Sequence, residues 1–189
     1  MSYEKARSLI RSSISRPTLY RVQMPQRFIG RGTNDYLEYF CNATAIPERR
    51  VEAVVARGHE LMGVSRYQPA LILWGQPMQI SVIENRDFTV HADFSQWFEQ
   101  LGTGVDQQGS RNIRMSYYDQ IKGDIILEKL ENPDSSGGVG GNLRTVMTTT
   151  FLNAYPKAIG NVSLASDNRD GMTTFNVEFT YESYTVEYS

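Results

Sequence analysis

The chain has 189 residues, 40% of them hydrophobic and 11% aromatic, with 19 basic and 21 acidic side chains and a single cysteine. A domain of this size buries roughly 70% of its unfolded surface and needs no staples, and one thiol excludes a disulfide framework or a cysteine-built metal cluster. No run approaches the roughly 18 apolar residues of a membrane span, and MSYEKARSLIRSS lacks the apolar core of an export signal, so the chain reads as soluble, unexported and free of membrane insertion.

Charge is balanced in total but unevenly placed: residues 1–66 carry 11 basic and 6 acidic groups, residues 67–189 carry 8 and 15. The asymmetry fits a basic arm for nucleic acid or opposite ends of two copies that complement each other. Residues 2–15 predict a short helix, with Ser2 as cap and Tyr3, Ala6, Ile10 and Ile14 near helical spacing, ended by Arg16-Pro17. TLYRVQM (18–24) and YLEYFCNATAIP (36–47) predict two strands of a hairpin turning at Gly30–Gly32. Residues 47–77, bounded by Pro47 and Pro77, show no sustained period and predict a long excursion loop. MQISVI then alternates as a strand. Val90, Phe94, Trp97, Phe98 and Leu101 form one helical stripe, giving a packed helix over 88–101 with Asp87 or Thr89 as cap and Gly102 at its end.

GDIILEKL predicts a strand and 132–142 a Gly/Ser linker. In the last third, Phe175, Val177, Phe179 and Tyr181 alternate with Asn176, Glu178, Thr180 and Glu182, a strand with one apolar face. About seven strands in runs and two helices make a single domain, residues 1–189, of mainly antiparallel β (α+β) class with one packed helix.

Chemical motifs are sparse. His59 and His91 lack metal-spaced partners, and Cys41 sits in an apolar segment where a thiol behaves as a small hydrophobe. SSGGVGGN lacks the Lys-Ser/Thr ending of a phosphate loop, and SDNRDG, aligned on Gly171, puts Val177 where a calcium loop needs glutamate. The reading is therefore no catalytic residue, no cofactor and no metal: a chain built for assembly.

Three segments in order carry a resemblance: Arg-Pro-x-Leu-Tyr at Arg16–Tyr20, Cys-x-Ala-Thr-Ala-hydrophobic-Pro at Cys41–Pro47, and Tyr-Pro...Ser-Asp-Asn...Thr-Phe-x-Val-x-Phe from Tyr155 to Phe179. With the helix between them, the chain resembles the tail tube proteins of contractile-tailed bacteriophages. The stretches Gln68–Trp74 and Ser135–Asn142 depart from the family pattern. The resemblance implies a β-sandwich or split barrel flanked by a helix, joined through sheet edges into a hexameric ring with a continuous inner β-barrel. Rings would stack head to tail into a hollow tube within a contractile sheath, through which phage DNA passes into the host cell. Implied partners are further copies of the chain, the sheath protein, a baseplate tube initiator, a tail terminator, and the tape measure protein and DNA in the lumen. The implied location is the virion tail, assembled in the bacterial cytoplasm.

By the same resemblance the excursion after Pro47 reaches the adjoining ring, with Arg49, Arg50, Glu52, Arg57 and Glu60 at the contact and Arg7, Arg11 and Arg16 docking on an acidic neighbour. Alternation adds the lumen wall: Asn176, Glu178, Thr180 and Glu182, joined by Asn42, Thr44, Thr148 and Thr150. Other readings of the sequence are an inner tube of a tailocin or type VI secretion system, a single-ring tube initiator, a ligand-binding β-barrel monomer, and an enzyme with its site in the long loops.

Overall fold

The computed structural model describes residues 19–57, 65–75, 77–103, 114–131, 143–162 and 171–189. The helix expected over 2–15, the linker over 132–142 and most of SDNRDG lie outside them. The described elements run β1 (Tyr20–Gln23), α1 (Arg31–Phe40), β2 (Cys41–Thr44), β3 (Arg49–Arg57), β4 (Ser65–Trp74), β5 (Met78–Ile83), α2 (Thr89–Glu99), β6 (Gly102–Thr103), β7 (Arg114–Met115), α3 (Tyr118–Ile121), β8 (Gly123–Glu131), β9 (Arg144–Ile159), β10 (Thr174–Thr180) and β11 (Ser183–Tyr188). The class is mainly antiparallel β with helices packed on it, and the strands outnumber the expected seven because the last strand breaks after Thr180 and the excursion is itself paired.

The main sheet has the order β1-β8-β9-β10-β5-β2, with β11 also on β9. The sixteen-residue β9 serves two half-sheets. Its first part pairs β8 and β11, as in Phe151↔Ile125 and Phe151↔Tyr184; its last part, from Tyr155, pairs β10 instead. Between them stands Asn153 at φ 55°, a left-handed conformation that asparagine tolerates better than most residues. Its N–H donates to Asp124 Oδ1 at 2.9 Å and its carbonyl accepts the Tyr118 hydroxyl at 3.0 Å. The kink turns the sheet around one continuous core.

Helix α2 fills the concave side. Val90, Phe94 and Trp97 are fully enclosed; Phe94 meets Phe175 and Phe179 edge-on at 6.2 and 6.0 Å, while Trp97 stacks on Phe28 at 4.7 Å. Phe98, expected on the same stripe, is 40% exposed. The expected caps are also replaced. Phe88 takes a left-handed turn at φ 54°, which folds the chain back so that upstream side chains reach the free amides: Asn85 Oδ1 accepts the Thr89 N–H at 3.0 Å and Glu84 Oε2 the His91 N–H at 2.9 Å. Gly102 opens β6, and the helix ends at Gln100.

The hairpin expected from residues 18–24 and 36–47 does not form. Residues 31–40 are helical, because Thr33 and Leu37 at i and i+4 bury one face, and Tyr36 packs beside them; this burial overrides the β preference of the aromatic residues. Gly32 lies inside that helix, and Asn34 ties it to the end of β1 through the Met24 backbone at 2.8 and 3.2 Å. Strands β1 and β2 end up at opposite edges of the sheet. Phe179 is fully buried, with Phe94, Trp97 and its strand partner Met78 around it. Phe179→Ala is expected to cost about 3–5 kcal/mol of stability by urea denaturation; a loss under about 1 kcal/mol would mean the helix-to-sheet seam is loosely packed.

Candidate assembly surfaces

The half-sheet made of β2, β5, β10 and the end of β9 has one apolar and one polar face. Phe175, Val177 and Phe179 point to α2, so Asn176, Glu178 and Thr180 stand on the other side. Cross-strand register adds Ser81 opposite Asn176, Gln79 opposite Glu178 and Tyr155 opposite Thr180, and Gln79 Nε2 donates to Glu178 Oε1 at 2.6 Å. Asn42 is exposed at the β2 bulge. Glu182 is exposed just past β10, its Oε2 accepting from Asn153 Nδ2 at 2.5 Å. Thr148 and Thr150 alternate with buried Thr149 and Phe151, which places them away from the core but beyond the Asn153 kink. Thr44 departs from the expectation. It pairs with Ile80, whose side chain is buried, and its own Oγ1 is enclosed, so it faces the helix side.

This half-sheet has two open borders. Among the described residues β2 pairs only β5, and the segment of β9 beyond Tyr155 pairs only β10. Each leaves a row of backbone donors and acceptors available to another strand.

The excursion is a hairpin. Strands β3 and β4 pair from Arg49↔Trp74 to Arg57↔Ser65, with a bulge at Glu52/Ala53. One face carries Val51, Ile72, Val55 and Tyr67, which are 56%, 60%, 43% and 77% exposed. These residues were missed in the sequence because the bulge resets the alternation on β4, masking the period of two. The other face mixes Arg50 and Glu52 with Leu73 and Leu71. Arg49, Arg50 and Glu52 are all exposed, and Arg49 lays its guanidinium against Tyr184 of the body. Of Arg57 only the backbone is described, and Glu60, Arg7, Arg11 and Arg16 fall outside the described residues.

Among the described residues no three or more metal-ligating side chains gather to hold an ion, and no helix is long and apolar enough to cross a membrane. Cys41 is half-buried, and burial pushes its thiol up to about 11.

The model of the phage tail tube protein family matches residues 13–187. The chain belongs to that family. Tail tube proteins are structural components, not a class of enzyme. No curated protein matches this tail tube protein by sequence. In fold it is similar to a chain of the sheath–tube complex of an extracellular contractile injection system, PVC, in the extended state: TM-score 0.60, 12% identity, covering 100% of this chain and 99% of that one. It is similar also to a chain of the PVC sheath/tube terminator (0.58, 10%, 92% and 96%) and of the anti-feeding prophage baseplate (0.58, 10%, 93% and 97%).

Burial also lifts the Tyr20 and Tyr181 hydroxyls from 10.0 to about 12. In the unfolded chain these groups and Cys41 ionise near their ordinary values while the folded chain still holds the protons, so the stability they carry is complete below about pH 9 and is lost as pH rises towards about 12. A denaturation midpoint flat from neutrality to about pH 9 and falling steadily above it is expected; a midpoint constant to about pH 11 would show these groups to be hydrated in the fold.

Proposed function

We propose that this tail tube protein closes into a hexameric ring through the open borders of its polar-faced half-sheet, and that the rings stack head to tail into the hollow inner tube of a contractile tail. The observation that carries the reading is that half-sheet: polar on one face, helix-covered on the other, and unpaired at both borders among the described residues. Pairing β2 of one copy with the end of β9 in the next satisfies both rows of backbone groups and repeats around a closed circle. The polar face then lines an inner barrel, bringing Asn42, Asn176, Glu178 and Thr180 to the lumen with Glu182 nearby. Thr44 is dropped from that wall, and Thr148 and Thr150 belong to the tube only where the kink leaves them on its flank.

The hairpin supplies the contact that continues without limit. Its apolar face would be covered by a second copy, where burying each of Val51, Val55, Ile72 and Tyr67 contributes about 1.5–3 kcal/mol; Arg50 and Glu52, on the hairpin's opposite face, and Arg57 and Glu60 would meet the adjoining ring as well. The N-terminal Arg7, Arg11 and Arg16 dock on the acidic half of a neighbour. A head-to-tail contact of this kind is heterologous and generates an open filament. The solved assemblies it is similar to contain sheath, terminator and baseplate, which supports the corresponding partners here: a sheath outside the tube, an initiator below and a terminator above. The tape measure protein and DNA would occupy the lumen of the virion tail after assembly in the host cytoplasm. A second reading keeps the assembly and changes the cargo, since two of those neighbours come from an extracellular contractile injection system; DNA-free tubes in native particles would favour it.

Negative-stain microscopy of purified chain is expected to show six-fold rings or hollow rods. A monomer at all concentrations would refute the reading. Val51→Asp with Ile72→Asp is expected to abolish rods while leaving the circular dichroism of the chain unchanged. Lumen carboxylates repel phosphates, and adhesion to DNA is mainly cation–phosphate attraction. Glu178→Lys with Glu182→Lys is therefore expected to leave tubes intact but make them retain DNA in low salt, measured by gel shift; tubes that fail to form would put these residues at an interface.

A further inference from the structure

Both strands of the hairpin leave the body at one place, and four side chains grip it there. Arg49, the first residue of β3, lies directly opposite Trp74, the last of β4. Its guanidinium carbon sits 4.7 Å from the Trp74 ring centre and 4.3 Å from that of Tyr184, and Nη2 donates to the Tyr184 carbonyl at 3.1 Å. The two rings meet edge-on at 4.9 Å. Tyr184, in turn, donates its hydroxyl to the Pro47 carbonyl at 2.6 Å, and Tyr181 donates to the Gly75 carbonyl. One tyrosine thus holds the incoming root and the other the outgoing root. The roots themselves are joined by the Gly75 N–H donating to the Glu48 carbonyl at 2.8 Å, an approach so close that a Cβ on Gly75 would lie 2.8 Å from that same oxygen.

We infer that Arg49 is a positioning residue that sets the angle of the hairpin against the body, and not an ion-pair donor to the neighbouring copy. The inference rests on the reading that the hairpin joins copies. Its weight comes from leverage. A nine-residue strand extends about 30 Å, so a root loosened by about 10° moves the tip by about 5 Å, whereas packing contacts are forfeited over gaps of less than about 1 Å. A hairpin already held at the bound angle does not spend association energy on ordering itself. Arginine suits the post because a planar guanidinium can stack on two rings and still present an edge N–H to a carbonyl, which the compact ammonium of lysine cannot.

The test compares full-length wild type with Arg49→Lys, which keeps the charge and loses the plane. In the unassembled chain, amide hydrogen exchange at Val51–Val54 and Ile72 is expected to quicken at least tenfold in the variant while Val177 in the core is unchanged. The concentration at which rods pellet is expected to rise at least tenfold. Equal exchange, or rods at the wild-type concentration, overturns the inference. If wild type never forms rings or rods, the assembly reading fails by itself, and the exchange comparison still decides whether Arg49 holds the root. Arg49→Ala is expected to act in the same direction; should it be insoluble, the lysine variant carries the comparison.

Discussion

The fold depends on a single strand having to belong to two half-sheets. Strand β9 is too long to remain in one twisted layer, and at Asn153 the backbone turns through a left-handed residue that a β-branched or bulky side chain would resist. Hydrogen bonds donated by Asn153 to Asp124 and Glu182, and by Tyr118 to the Asn153 carbonyl, hold that turn. Once β9 has changed partners, the chain after β10 must change too, and the break at Tyr181–Glu182 sends β11 back to the first half-sheet. The kink and the break are the same event seen on adjacent strands.

That corner also organises what lies outside the core. It delivers Tyr181 and Tyr184 to the hairpin roots, so an exposed apolar surface is attached to a buried aromatic cluster, where Phe151 contacts both tyrosines at 5.1 and 5.4 Å. It likewise aims the polar face of the β10 half-sheet away from α2. Sheet borders that are open among the described residues, and a hairpin of exposed valine, isoleucine and tyrosine, give an isolated chain an association hazard. In the proposed tube each hazard is matched by a second copy, the borders within a ring and the hairpin between rings.

Charge enters with less force than apolar area. Glu178 and Glu182 accept hydrogen bonds from Gln79 and Asn153 within the chain, so in the proposed lumen they would act through their field more than through contacts. Arg49 shows how local packing engages a charge: the sequence placed it at the contact between rings, and in the fold its guanidinium lies over two aromatic rings.

Much of this was legible in the residues themselves. The alternation of Phe175, Val177 and Phe179 with Asn176, Glu178 and Thr180 identified a two-faced strand because side chains in a strand necessarily alternate, and the stripe Val90, Phe94, Trp97 identified α2 because helical neighbours recur every three or four positions. Order and spacing of three short segments were enough for the family. What residue order could not decide was which surface each element meets. Residues 31–40 are rich in strand-forming types and became a helix, since only the finished body offers Thr33 and Leu37 a place to bury; Thr44 turned inward because a bulge shifted its register by one; and the hairpin's apolar face was hidden by another bulge. Those outcomes depend on contacts between residues far apart in the chain, and local pattern carries no information about them.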